Sequence, residues 1–239
     1  MGLDINVGLL SQLLTEDDEG AKFHEIVLSN LNSVLLEAGL EPHQEPQDLA
    51  DSETFSVQSW GYGGLHFVRR LAAYLTLENR LPTVGVYEGI ADDQVLEKFN
   101  VQHSGYLTRS ERSGILSFLR KAPVKPAFEH LILHSDSEGF YLPRFLADVV
   151  FDQAQPQRGG LGAMIGSSLG LAAECDVLCK ALEIPPDLDC EAEEVWENAE
   201  SPPKAGELWQ RYGVETFVLT RLRDACACSN RTGAAIVFT

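Results

Sequence analysis

Four short apolar or alternating runs, at 3–7, 55–60, 130–134 and 234–238, carry the β-strand signal of this chain, and each gap between them holds at least one segment of helical periodicity. Strands this few and this separated predict an α+β fold, or loosely α/β, with helices packed around a small mixed sheet. Leu3-Asp4-Ile5-Asn6-Val7 alternates apolar and polar and stops at Gly8, and Phe55 to Trp60 alternates again. His130-Leu-Ile-Leu-His134 reads as a buried strand leading into a polar loop that ends at Gly139. The first and last strands can pair, but the order of the sheet is not legible.

Between the strands, 17–38 is predicted helical, with Phe23, Ile26, Val27, Leu31, Val34 and Leu35 inward, acidic residues in its first turn and Gly39 as its stop. Further helices are expected at 65–78, 92–99, 110–120, 143–150 (opened by Pro143) and 214–227. Another runs from Ser167 or Ser168, which can cap it, to about Leu182. Residues 41–54 form a polar connector. Residues 183–207 hold nine acidic side chains, one lysine and prolines at 185, 186, 202 and 203, and read as a solvated, partly helical excursion. No repeat or boundary divides the chain, so 1–239 is expected to be one domain.

The 239 residues carry 18 Lys+Arg against 36 Asp+Glu, a net charge of −18. The halves are balanced: 1–120 hold 8 basic and 18 acidic residues, 121–239 hold 10 and 18, so −10 and −8. Nucleic-acid binding needs clustered cations on the phosphates, and only short pairs such as Arg69-Arg70 occur, so that class is excluded. Anionic membranes are disfavoured for the same reason. No apolar run approaches the ~18 residues of a spanning helix. The opening MGLDINVG lacks a basic export region, and the expected location is a bacterial cytoplasm. A field of this sign steers a basic protein toward the surface.

Five cysteines, at 175, 179, 190, 226 and 228, make an odd number and argue against a disulfide framework. Their spacings lack the C-x₂-C form of zinc knuckles, so reduced, buried thiols are expected and no metal is assigned. His130 and His134 would stand ~13 Å apart in a strand, too far to share an ion. There is no dinucleotide fingerprint, P-loop or HExxH, so no cofactor is expected.

Two polar clusters remain. The loop His134-Ser135-Asp136-Ser137-Glu138-Gly139 joins an imidazole, hydroxyls and carboxylates at a strand end. Its structural reading is an Asx-turn with capping-box spacing. The second, Trp60-Gly-Tyr62-Gly-Gly-Leu-His66, runs into Arg69, Arg70 and Tyr74, with His66, Arg70 and Tyr74 on one helical face opposite the apolar stripe. SWGYGGLHFVRRLA and LHSDSEGFYLP together resemble an uncharacterised bacterial and phage family whose members open with MGLD. The resemblance implies that Tyr62, His66, Arg69 or Arg70, His134, Ser135, Asp136 and Gly139 occupy motif positions, and it brings no activity with it. Ser137 replaces the Cys of that loop, which argues against a thiol nucleophile. The acidic C-terminal region lies outside it.

If strand 130–134 lay beside strand 55–60, the clusters would meet, and Asp136 or Glu138 would pair with Arg69 or Arg70. The leading functional reading is an acidic binding protein, a partner or inhibitor of a basic protein. The alternative is a hydrolase- or transferase-like enzyme, with His66 or His134 as base, Asp136 and Glu138 as further acid–base candidates, and Tyr62, Arg69, Arg70 and Ser135 holding a small anionic ligand.

Overall fold

A computed structural model describes residues 3–61, 63–85, 88–111, 127–135, 137–152, 159–162 and 164–239. The elements in order are β1 (Asp4–Val7), α1 (Leu9–Glu16), α2 (Asp18–Glu37), β2 (Phe55–Gln58), α3 (Gly64–Glu78), α4 (Gln94–Glu111) and α5 (Glu129–Ile132). Then come β3 (Gly139–Leu142), β4 (Val150–Phe151), β5 (Met164–Ser167), α6 (Ser168–Ala181), α7 (Glu193–Glu200), α8 (Leu208–Arg211), α9 (Gly213–Thr232) and β6 (Ile236–Phe238). The class is α+β, as the strand spacing predicts.

The strands form one mixed sheet in the order β2-β1-β6-β3-β5-β4. Only β3 and β5 run parallel; the other pairs are antiparallel, with Ile5 opposite both Val57 and Phe238. Side chains alternate across the sheet with period two and divide the core. Phe140, Leu142, Ile165 and Val237 meet Val27, Leu31 and Leu35 of α2. Ile5, Tyr141, Ile236 and Phe238 meet the apolar stripes of α3, α6 and α9 on the opposite face. The result is three layers, with α9 buried along most of its length.

Four expectations change. Residues 130–134 are not a strand: 129–132 form the helical turn α5, and β3 begins after the polar loop. A four-residue apolar run does not discriminate strand from helix. Here the Glu174 carboxylate on α6 decides it by accepting the N–H groups of His130 and Leu131 at 3.0 and 2.8 Å, which caps the turn. Phe23 and Ile26 point outward, 64% and 60% exposed, while His24 takes an inward place against Phe140. Residues 143–149 are turns leading to β4 rather than a helix. The helix expected at 92–99 runs on to Glu111, and most of the one expected at 110–120 lies outside the described residues. The caps read from sequence hold at α6, where the Ser167 hydroxyl accepts the N–H of Gly170 at 3.0 Å.

Candidate functional site

Helix α3 carries its two arginines into the protein, Arg69 5% and Arg70 3% exposed. Arg69 donates from Nε to the Leu131 carbonyl at 3.0 Å and from Nη2 to the His134 carbonyl. It therefore ties α3 to the end of α5, where the carbonyls of a short helix otherwise lack donors. Arg70 pairs with Asp93 at 2.8 Å, and the Tyr74 hydroxyl donates to the same carboxylate oxygen at 3.2 Å. Burial pushes the Asp93 pKa up; the Arg70 hydrogen bond, the N–H groups of Leu96 and Val95, and the Arg70 charge outweigh it, and the group ends below its usual value. Arg70 and Tyr74 thus look onto Asp93, just before α4, rather than onto solvent alone.

Among the described residues, the loop meets α3 through the His134 backbone carbonyl. Glu138 is exposed and among the described residues pairs with neither arginine, which corrects that half of the expectation. Asp136 and Tyr62 lie outside the described residues, and with them the Asp136 pairing. His134 is 4% exposed, its ring stacked 4.4 Å from Tyr141 and tilted against Phe238 at 4.6 Å, and Nδ1 lies 2.7 Å from the Ser135 carbonyl. Gly139, at φ 142°, leaves room for that ring, since a Cβ there would stand 2.5 Å from Nε2. His130 accepts the Ser167 N–H at Nδ1, 3.1 Å away. The Ser135 hydroxyl accepts the Ser137 N–H at 3.2 Å, an ST-type turn, and His66 is half-buried at the start of α3. Chemically, this arrangement orients one helix, one loop and one strand; its arginines and His134 hold them together from inside.

No three His, Cys, Asp or Glu residues among those described are grouped to hold a metal. All five cysteines are free and buried. Burial pushes the Cys179 thiol up to about 11 and Cys190 up to about 12, so these groups stay protonated and behave as small apolar side chains.

The surface carries the feature that sequence reading described but did not place. The segment 183–207 is pinned to α9 rather than free in solvent. Arg223 donates to the Pro185 carbonyl at 3.1 Å and to the Leu188 carbonyl, and Cys190, Val195 and Ala199 are buried. At the other end, Gly213 lets α9 approach α7 so closely that a Cβ would lie 1.9 Å from the Asn198 carbonyl oxygen. This frame points Glu183, Asp187, Asp189, Glu191, Glu193, Glu194, Glu197, Glu200 and Glu207 outward, all exposed. Among the described residues, Asp187, Glu191, Glu193, Glu197 and Glu200 make no ion pair. Along α7, Glu193, Glu197 and Glu200 step by four and three, ~6 and ~4.5 Å along the axis at 1.5 Å per residue. A DNA strand sets its phosphates ~3.4 Å apart along its axis, so these axial intervals fall between one and two phosphate steps. Like charges at such positions cost roughly 0.2–0.5 kcal/mol per pair, and Glu200 also faces the negative end of its helix. Glu193, in the first turn, gains from the positive end of α7, whereas Glu197 and Glu200 gain nothing from the helix.

Fold and surface together describe an acidic α+β protein with a row of exposed carboxylates on one segment. The family described as "Putative DNA-mimic protein" matches residues 1–238, so the acidic excursion is included and the chain belongs to that family. No curated protein and no solved structure matches the chain. Among the described residues, no helix is long and apolar enough to cross a membrane.

Proposed function

We propose that this protein occupies the DNA-binding surface of a basic protein by presenting carboxylates where DNA presents phosphates. The observation that carries the reading is the row of exposed, unpaired carboxylates on 183–207, held on a frame that α9 fixes in place. A pinned row loses little freedom when a partner docks, so the attraction is not spent on ordering the chain. The net charge of −18 adds long-range attraction that speeds encounter with a cationic surface and repels nucleic acid itself. Binding therefore competes with DNA and weakens as salt rises.

The test is displacement. DNA-binding proteins loaded on immobilised duplex DNA are challenged with this protein near physiological ionic strength. Each protein released is purified and titrated against labelled DNA by fluorescence anisotropy. Release of a defined protein, lost when Glu193, Glu197 and Glu200 are changed to Gln, supports the reading. Release of nothing, or equal release by the Gln variant, overturns it.

A further inference from the structure

Trp196 stands on α7 in the middle of that row, 39% exposed. Glu193 lies three residues before it and Glu200 four after, so all three share one helical face, with Glu197 beside them. The indole is braced from beneath. Its ring lies 4.6 Å from Phe217, nearly perpendicular, and 6.5 Å from Trp60, the aromatic that opens the WGYGG motif. The Arg221 guanidinium sits 3.4 Å from the Phe217 ring and 5.2 Å from that of Trp196, its Nε donating to the Gln58 carbonyl at 3.0 Å. A large aromatic is thus exposed and rigidly supported, in the middle of a row of carboxylates.

We infer that Trp196 with Glu193 and Glu200 receives an arginine side chain from the basic partner, the guanidinium lying on the indole face while the carboxylates take its N–H groups. The inference rests on the DNA-mimic reading and names the group recognised. Charge complementarity selects a cation, and the ring selects which one. A guanidinium is planar, weakly hydrated and able to stack while donating two parallel hydrogen bonds to a carboxylate; an ammonium is a compact, strongly hydrated point charge. Arginine is also the side chain with which DNA-binding surfaces grip phosphates and guanine edges. Tryptophan braced in this way is the residue type that dominates interface energies. A phosphate row attracts lysine and arginine through charge, whereas this face adds a preference for arginine that a purely acidic surface lacks.

The experiment uses two labelled probes, nona-arginine and nona-lysine, titrated by anisotropy into the full-length protein at ~150 mM salt. W196L should weaken the arginine probe by about two- to fivefold, the value of an exposed cation–π contact, and leave the lysine probe unchanged. The E193Q/E197Q/E200Q variant should weaken both. If W196L weakens both probes equally or neither, while the triple variant weakens both, the arginine inference falls and the acidic-face reading stands. If neither variant weakens either probe, both fall. Thermal melting checks the fold. Should W196L not fold, W196F keeps the ring packed on Phe217, and its weaker π-face should give a smaller loss confined to the arginine probe; equal or absent loss there overturns the inference in the same way.

Discussion

Glu215 gives the most direct test of the packing around α9. It lies in the first turn of that helix and is 6% exposed. Burial pushes its pKa up from 4.5 to about 7, although its own backbone N–H and the charge of Arg70 both act to lower it. The sign follows from proton counting. Between pH 4.5 and about 7 the folded protein keeps a proton that the unfolded chain has released, so stability falls as pH rises through that window and levels off above it. At ~1.4 kcal/mol per pKa unit, the shift amounts to about 3 kcal/mol. Glu215→Gln keeps the shape and removes the ionisation. The variant should match the wild type near pH 4.5 and exceed it by about 3 kcal/mol at pH 8. Urea unfolding at fixed ionic strength, from pH 4.5 to 8.5, reads the difference; comparison with the variant cancels the contribution of the other carboxylates. A gap that stays constant with pH, or that narrows as pH rises, refutes the burial argument.

Two further substitutions probe the polar centre and the frame of the acidic face. Asp93→Ala leaves the buried Arg70 without its carboxylate and should cost ~3 kcal/mol or more in urea unfolding; a loss below ~1 kcal/mol would mean that the pair is solvated. Because the Asp93 pKa is lowered in the fold, the advantage of the wild type over Asp93→Asn should be full above the usual value of 3.8 and fade as pH falls through the folded value. Gly213→Ala drives a methyl into the Asn198 carbonyl, which is backbone and cannot rotate away, and should cost about 3 kcal/mol by thermal or urea unfolding. A change under ~0.5 kcal/mol would contradict the close approach of α7 to α9.

What the sequence disclosed depended on how local the decision was. β1 and β2 were legible because alternation over five or six residues needs no distant partner to be read, and β6 because a short apolar run opens after the turn at Gly233. The cap at Ser167 and the stop at Gly39 are equally local. The turn at 129–132 was decided by Glu174, more than forty residues away, and β5 by its parallel pairing with β3; neither leaves a mark in its own segment. Phe23 and Ile26 were misplaced because a helix with His24 buried beside them has its inward stripe rotated from the one that hydrophobicity alone selects. At the site, the arginines were noticed for their charge, but the Leu131 and His134 carbonyls that Arg69 meets and the Asp93 carboxylate that Arg70 meets are partners that spacing does not reveal. The acidic excursion was visible as composition. Its brace was not, because Gly213 and Arg223 look unremarkable until α9 is set against it; a lone Trp amid glutamates was the one signal within the segment itself.

The pairing of β1 with β6 has a consequence for synthesis. The two strands lie side by side in the sheet, and Asn6 donates to the Thr239 hydroxyl across 233 positions of sequence. At roughly 5–20 residues per second, a ribosome takes on the order of ten to fifty seconds to deliver the second strand after the first. During that interval β2 can cover one edge of β1, while the other edge, with its free N–H and C=O groups, awaits a neighbour not yet made. An edge of that kind is a template for mispairing with other chains. The sheet is therefore closed late, and the negative charge carried by both halves opposes contact between copies while that edge is open.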